Sequence, residues 1–135
     1  MLKRDYDLSE EDKECLDALG LEWEAIRHAE RGRPVNWILI HDFEIPEGYN
    51  VEKADVALRL RPGYPDVDID MAYFKPPLSM NNGKPITKVT LQDVMGEKYQ
   101  QWSRHRPSGG WRPGIDNIGT HILQVRRWLA RELKK

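Results

Sequence analysis

The most regular hydrophobic pattern lies near the C-terminal end, where Ile118, Ile122, Val125 and Leu129 recur at helical spacing with Trp128 beside them. Arg126, Arg127 and Arg131 fall mostly on the opposite face. An amphipathic helix is therefore predicted from Asp116, the expected cap, to the C-terminus. A shorter helix is predicted near the N-terminus. Ser9 followed by Asp12 reads as a capping box, Leu16 and Leu19 share a face, and Gly20 supplies a stop.

Between these helices the period changes from 3.6 to 2. VNWILIHDF, Val35 to Phe43, is rich in β-formers and is the strongest predicted strand. Ala54 to Leu60 alternates, with Val56, Leu58 and Leu60 on one face. The stretch Glu22 to Ala29 suits a strand or a helix and is assigned to a strand. DIDMAYF is a short strand that stops at Pro76 and Pro77, and EIPEGYN and RPGYPD are turns. The prediction is an α+β fold, a four-stranded antiparallel meander flanked by N- and C-terminal helices.

Residues 78–113 are less regular. A helix capped by Thr90 would put Leu91, Val94, Met95, Tyr99 and Trp102 on one stripe, against Gly96, which costs about 1 kcal/mol relative to Ala. The stretch from Pro85 to Pro107 stays open between helical and extended forms. WSRHRPSGGWRPG follows as a loop.

Composition narrows the class. A chain of 135 residues is one domain's worth, with 39% hydrophobic and 32% charged residues, as in ordinary globular proteins. The formal net charge of -1 argues against bulk capture of nucleic acid or anionic membrane. A single cysteine makes no internal disulfide, and no Cys/His cluster has zinc spacing, so neither metal nor other cofactor is expected. MLKRDYDLSEEDKE has no apolar core and does not read as a signal peptide, and the longest apolar run, around Trp37 to Ile40, is too short for a membrane span. A reducing cytoplasm is the expected compartment.

The order of these pieces resembles a known family. Helix, meander, the Tyr64-Pro65 turn, Pro76-Pro77, a long irregular loop, Trp111-Arg112-Pro113 and a helix follow one another as in the ubiquitin-conjugating fold. The GYN turn, the GYPD turn, the PPL segment and WSRHR are similar to prokaryotic family E of that superfamily, over roughly Leu16 to Leu133. The resemblance implies one ubiquitin-conjugating-like domain over 1–135, truncated at the C-terminus after the helix that follows Trp111. It also implies a place in bacterial pathways with a ubiquitin-like protein, an adenylating activating enzyme and often a JAB-type metalloprotease.

That family carries the acyl group on a cysteine ahead of the W-x-P motif. Counted back from Trp111, the matching position is Ser103, and the family's His-Pro-Asn motif is missing. Anchoring on Gly96 instead puts the position near Tyr99. Acyl carriage needs a nucleophile, a base and donors for the oxyanion. Ser103 supplies a hydroxyl. His105, two positions on, shares its face if the segment is extended and could act as base. Arg104 or Arg106 could serve the oxyanion or steer an acidic partner. The product would be an oxyester, passed to an amine, with Lys98 as another acceptor to test. A serine beside a tryptophan is also an ordinary loop hydrogen-bonding residue; the lost thiol favours a non-catalytic binding module or scaffold, and the retained polar Ser/Arg/His loop favours the enzyme.

The remaining candidates read as structural. Trp102, Trp111 and Trp128 are expected to anchor the core, and His28, His41 and His121 carry no site signal. Cys15 lies on the first helix beside Glu14 and Asp17, whose charges raise a thiol's pKa, so it is not assigned as a nucleophile. Arg104, Arg106, Arg112, Arg126, Arg127 and Arg131 could form a basic strip, better suited to a protein partner than to nucleic acid.

Overall fold

The computed structural model describes residues 1–135. Helix α1, Glu10–Asp17, starts at Ser9, whose hydroxyl accepts from Asp12 N at 3.1 Å, with three acidic residues in its first turn where the helix dipole favours them. It ends at Asp17, earlier than Gly20 suggested. Gly20 follows with φ +71 and turns the chain towards the sheet.

The strands are β1 (Trp23–Glu30), β2 (Arg33–Glu44), β3 (Lys53–Leu60), β4 (Ala72–Lys75), β5 (Val89–Val94) and β6 (Glu97–Trp102). They form one antiparallel sheet in the order β1-β2-β3-β4-β6-β5. The expected meander is β1 to β4, with the strand predicted from Asp68 shortened to Ala72–Lys75. The sheet has six strands rather than four, because a hairpin joins β4 through β6.

That hairpin occupies the stretch where a helix was a candidate. Met95 and Gly96 both have positive φ, +51 and +80, as a two-residue type I′ turn requires, and Val94 pairs with Glu97 across it. The apparent helical stripe is split between two faces. Trp102 enters the main core, while Val94 and Tyr99 join a smaller cluster on the other side.

Helix α2, Ile118–Leu133, packs on one face of the sheet. Its cap is Asn117 rather than Asp116. Asn117 Oδ1 accepts from Thr120 N at 3.1 Å, and Thr120 Oγ1 accepts from Asn117 N at 3.0 Å, a complete capping box. Ile118, Ile122, Val125, Trp128 and Leu129 are buried as the period predicted. The Tyr49 hydroxyl donates to Leu129 O at 2.7 Å, which ties the turn after β2 to the end of α2. On the other face Trp37 and Tyr73 pack edge to face at 5.2 Å. No helix is long and apolar enough to cross a membrane.

Candidate functional site

The segment ahead of Trp111 leaves the sheet at the end of β6, where Trp102 is fully buried. Gln100 fixes that strand: its amide bonds Leu78 N and O at 2.9 and 3.0 Å and accepts from Trp102 Nε1 at 2.9 Å. Ser103 N then donates to Lys88 O at 3.0 Å, so the backbone of Ser103 is held by the residue that precedes β5.

The three predicted site residues diverge from there. Ser103 is half-buried, and its hydroxyl meets only Gln101 Nε2, at 3.4 Å. His105 makes no hydrogen bond to it; its Nδ1 lies 2.9 and 3.2 Å from the two oxygens of Asp70, and its side chain is 64% exposed. Arg104 turns towards α2, where its Nη2 lies 3.0 Å from Glu132 Oε1 and its guanidinium stacks 4.7 Å from the Trp102 ring. The structure therefore brings Ser103 together with Gln101, and neither His105 nor Arg104 reaches its hydroxyl. The other register falls on Tyr99, which is 1% exposed, and Lys98 pairs with Asp93 at 2.8 Å.

The rest of the loop is docked by polar contacts. Arg106 Nη2 donates to His121 Nδ1 at 3.0 Å, and His121 Nε2 donates to Met71 O at 2.8 Å. Burial first, then the Arg106 charge, pushes the His121 pKa down to about 4 against the pull of the Met71 carbonyl, so the ring is neutral and its free lone pair faces Arg106. Burial likewise lowers the proton affinity of Arg106, which stacks 4.9 Å from the Trp111 ring. Trp111 is half-buried rather than core, and its Nε1 donates to Pro65 O at 2.9 Å. Behind it the Tyr64 hydroxyl donates to Asp12 Oδ2 at 2.9 Å and accepts from Ile118 N at 2.8 Å. Burial raises the pKa of Asp12 against these hydrogen bonds.

These pairings engage one half of the expected basic strip, while Arg126, Arg127 and Arg131 stay exposed on α2. Arg104 is held by Glu132, Arg106 by His121, and Arg112 by Asp116, whose carboxylate accepts from Arg112 N at 2.7 Å and is held below its usual range mainly by that bond, against the opposing effect of burial. Arg126 stacks 5.1 Å from Phe43.

Arginines gather elsewhere, where no site was predicted. Two concave regions of about 660 and 950 Å³ share Arg33, Val35, Arg59 and Arg61; the smaller reaches Tyr6 and Tyr64, and the larger runs across the sheet past Trp37 and Tyr73 to Gln92, Asp93 and Val94 of β5. Arg33, Val35 and Trp37 alternate along β2, as Ala57, Arg59 and Arg61 do from β3, so a period-2 count of arginines would have revealed them. Ser103 lines neither region.

Cys15 is far from nucleophilic. Burial, followed by Asp12, Glu11 and Glu14, raises its pKa, and it sits in the contact between α1 and Gly119 of α2.

Compared with known families, residues 8–132 match the model described as prokaryotic E2 family E. No curated protein and no solved structure matches the chain.

Proposed function

Since the chain belongs to prokaryotic E2 family E, we propose that it is a ubiquitin-conjugating-like component that holds a ubiquitin-like protein, and the adenylating enzyme that activates it, without itself forming a covalent bond. The observation that carries this reading is the surroundings of Ser103. A hydroxyl attacks an acyl carbon only when a base takes its proton, and the only side-chain partner of Ser103 Oγ is an amide. The groups that would complete a site are committed to others, His105 to Asp70 and Arg104 to Glu132. A JAB-type metalloprotease in the same pathway and a cytoplasmic location belong to this proposal.

A second reading, Ser103 as the acceptor of an oxyester that is later passed to an amine, has one observation in its favour. Asp70 holds Nδ1 of an exposed His105, which leaves Nε2 without a protein partner two residues from Ser103. Incubation with the activating enzyme, ATP and a ubiquitin-like protein from the same organism separates the two. The scaffold reading expects binding by calorimetry and no covalent adduct. An adduct that survives thiol reductant, is cleaved by hydroxylamine and vanishes in Ser103→Ala would replace it with the second.

A further inference from the structure

We propose that the arginine wall at the start of β2 and the end of β3 is a carboxylate site, and that it takes an apolar peptide segment carrying a single acidic side chain. The wall is separate from the Ser103 loop, and neither it nor its occupant rests on the reading above.

Arg33 opens β2, Arg59 is the penultimate residue of β3, and Arg61 follows that strand. All three are exposed, and all three line both concave regions. Their own acidic neighbours leave donors over. Arg61 bonds Asp68, Arg59 meets Glu30 only at 3.8 Å, and Arg33 has no acidic partner. A guanidinium offers five donors in a planar fork that fits a carboxylate, so the wall holds more donors than the chain itself uses.

A second observation is independent of charge. Trp37 pairs with Arg59 across β2 and β3, is 2% exposed and lines the larger region. Its indole Nε1 is one of two buried side-chain polar atoms with no hydrogen-bond partner; the other, Arg106 Nε, belongs to the docked loop. Buried donors are nearly always satisfied, so an unpaired one in the lining of a cavity marks a place for an acceptor from outside.

The surrounding charges restrict the occupant. Asp7 and the Tyr64-bonded Asp12 line the smaller region, and Glu30, Asp70 and Asp93 line the larger. A polyanion, charged at every step, would meet carboxylates on both sides of the arginines. One carboxylate between uncharged groups would not. The flanks suit apolar groups: Leu8, Pro34 and Tyr64 on one side of the wall, Trp37, Tyr73 and Val94 on the other. An occupant that uses both regions continues on each side of its carboxylate. An acidic side chain inside a peptide does this, whereas a chain end or an aryl acid fills one side. A peptide also brings backbone carbonyls, the acceptors that Trp37 Nε1 lacks.

The probes are end-capped heptapeptides with glutamate at the centre and leucine, valine, phenylalanine or tyrosine varied beside it, measured against the whole chain by calorimetry. The tightest should lose about tenfold in affinity when its glutamate becomes glutamine, and about as much against Arg33→Gln, an exposed position whose change leaves the core alone. Arg126→Gln, on α2, should bind as the parent does. The Trp37 indole proton should shift in the NMR spectrum of the unmutated complex. No binder at millimolar concentration, equal binding of the glutamine peptide, or an unmoved indole proton would overturn the site. Tighter binding of a short single-stranded DNA would overturn the peptide in favour of a polyanion, and equally tight binding of phenylacetate would overturn it in favour of a bare carboxylate. No arm contains a ubiquitin-like protein or an activating enzyme, so failure here leaves the reading above standing.

Discussion

Arg104 Nη2 lies 3.0 Å from Glu132 Oε1, and this pair fastens the loop after β6 to the last turn of α2. The carboxylate is 2% exposed and the guanidinium 15%. A buried pair of this kind adds little over an apolar contact, but removing one partner strands the other charge. Arg104→Met should cost about 3 kcal/mol, with Lys135 Nζ, 3.0 Å from the same oxygen, supplying only partial compensation. The double variant Arg104→Met, Glu132→Met should recover most of that loss. Urea midpoints check both, and a single variant as stable as the parent would mean that Lys135 is enough.

His121 makes stability fall with acidity. Its imidazole titrates near 6.5 when unfolded and near 4 when folded, so between those values the unfolded chain binds more protons. Its contribution is complete above the unfolded value and is lost as pH falls from about 6.5 to 4, a loss of about 3 kcal/mol. Asp12 acts in the opposite sense, since a raised carboxyl pKa favours the fold as pH falls. The contrast with His121→Gln isolates the imidazole. Glutamine can still donate to Met71 O and accept from Arg106, and its pH dependence across this window should be flatter. Equal slopes for the two proteins would rule out the neutral, buried ring.

Gly119 lies where α2 meets α1. A Cβ there would stand 2.7 Å from Cys15 Sγ and 3.2 Å from Asn117 Oδ1. Gly119→Ala should therefore destabilise by about 1–3 kcal/mol despite alanine's better helix propensity. Cys15→Ala in the same chain should restore much of that loss. Thermal melts of the two single variants and the double variant measure the coupling, and additive losses would place the strain elsewhere.

Ser103→Cys tests the acyl position separately from the chemistry. A thiol ionises far more readily than a hydroxyl and needs less help from a base. With activating enzyme, ATP and the ubiquitin-like protein, the variant should form an adduct that thiol reductant removes, seen as a mass shift. The parent should form none. If the variant also stays free while the activating enzyme is charged, the end of β6 is not where an acyl group is held.

Much of this fold was legible because single elements solve simple problems. The α2 stripe has one period and one face, and its buried apolar residues are those the period selects, with His121 and Glu132 buried beside them. The hairpin was harder because Leu91, Val94, Met95, Tyr99 and Trp102 satisfy a helical spacing as well as two strands. The choice depends on Met95 accepting positive φ beside Gly96, and methionine gives no hint of that. The site was less legible still. Ser103 and His105 were placed together by an alternation that holds only within a strand, and β6 ends one residue before Ser103. Their partners are distant in sequence: Asp70 lies 35 residues from His105 and Glu132 lies 28 residues from Arg104. No local rule reaches that far.

The chain's one sulfhydryl, on Cys15, is wedged between two helices that have no backbone ladder to join them. Such a group can report on its own surroundings without any engineered label. The thiol is only partly covered, so its labelling rate with a disulfide reagent reports how closely Gly119 of α2 shields it. Comparing this rate with and without a bound partner would show whether binding tightens the helical layer.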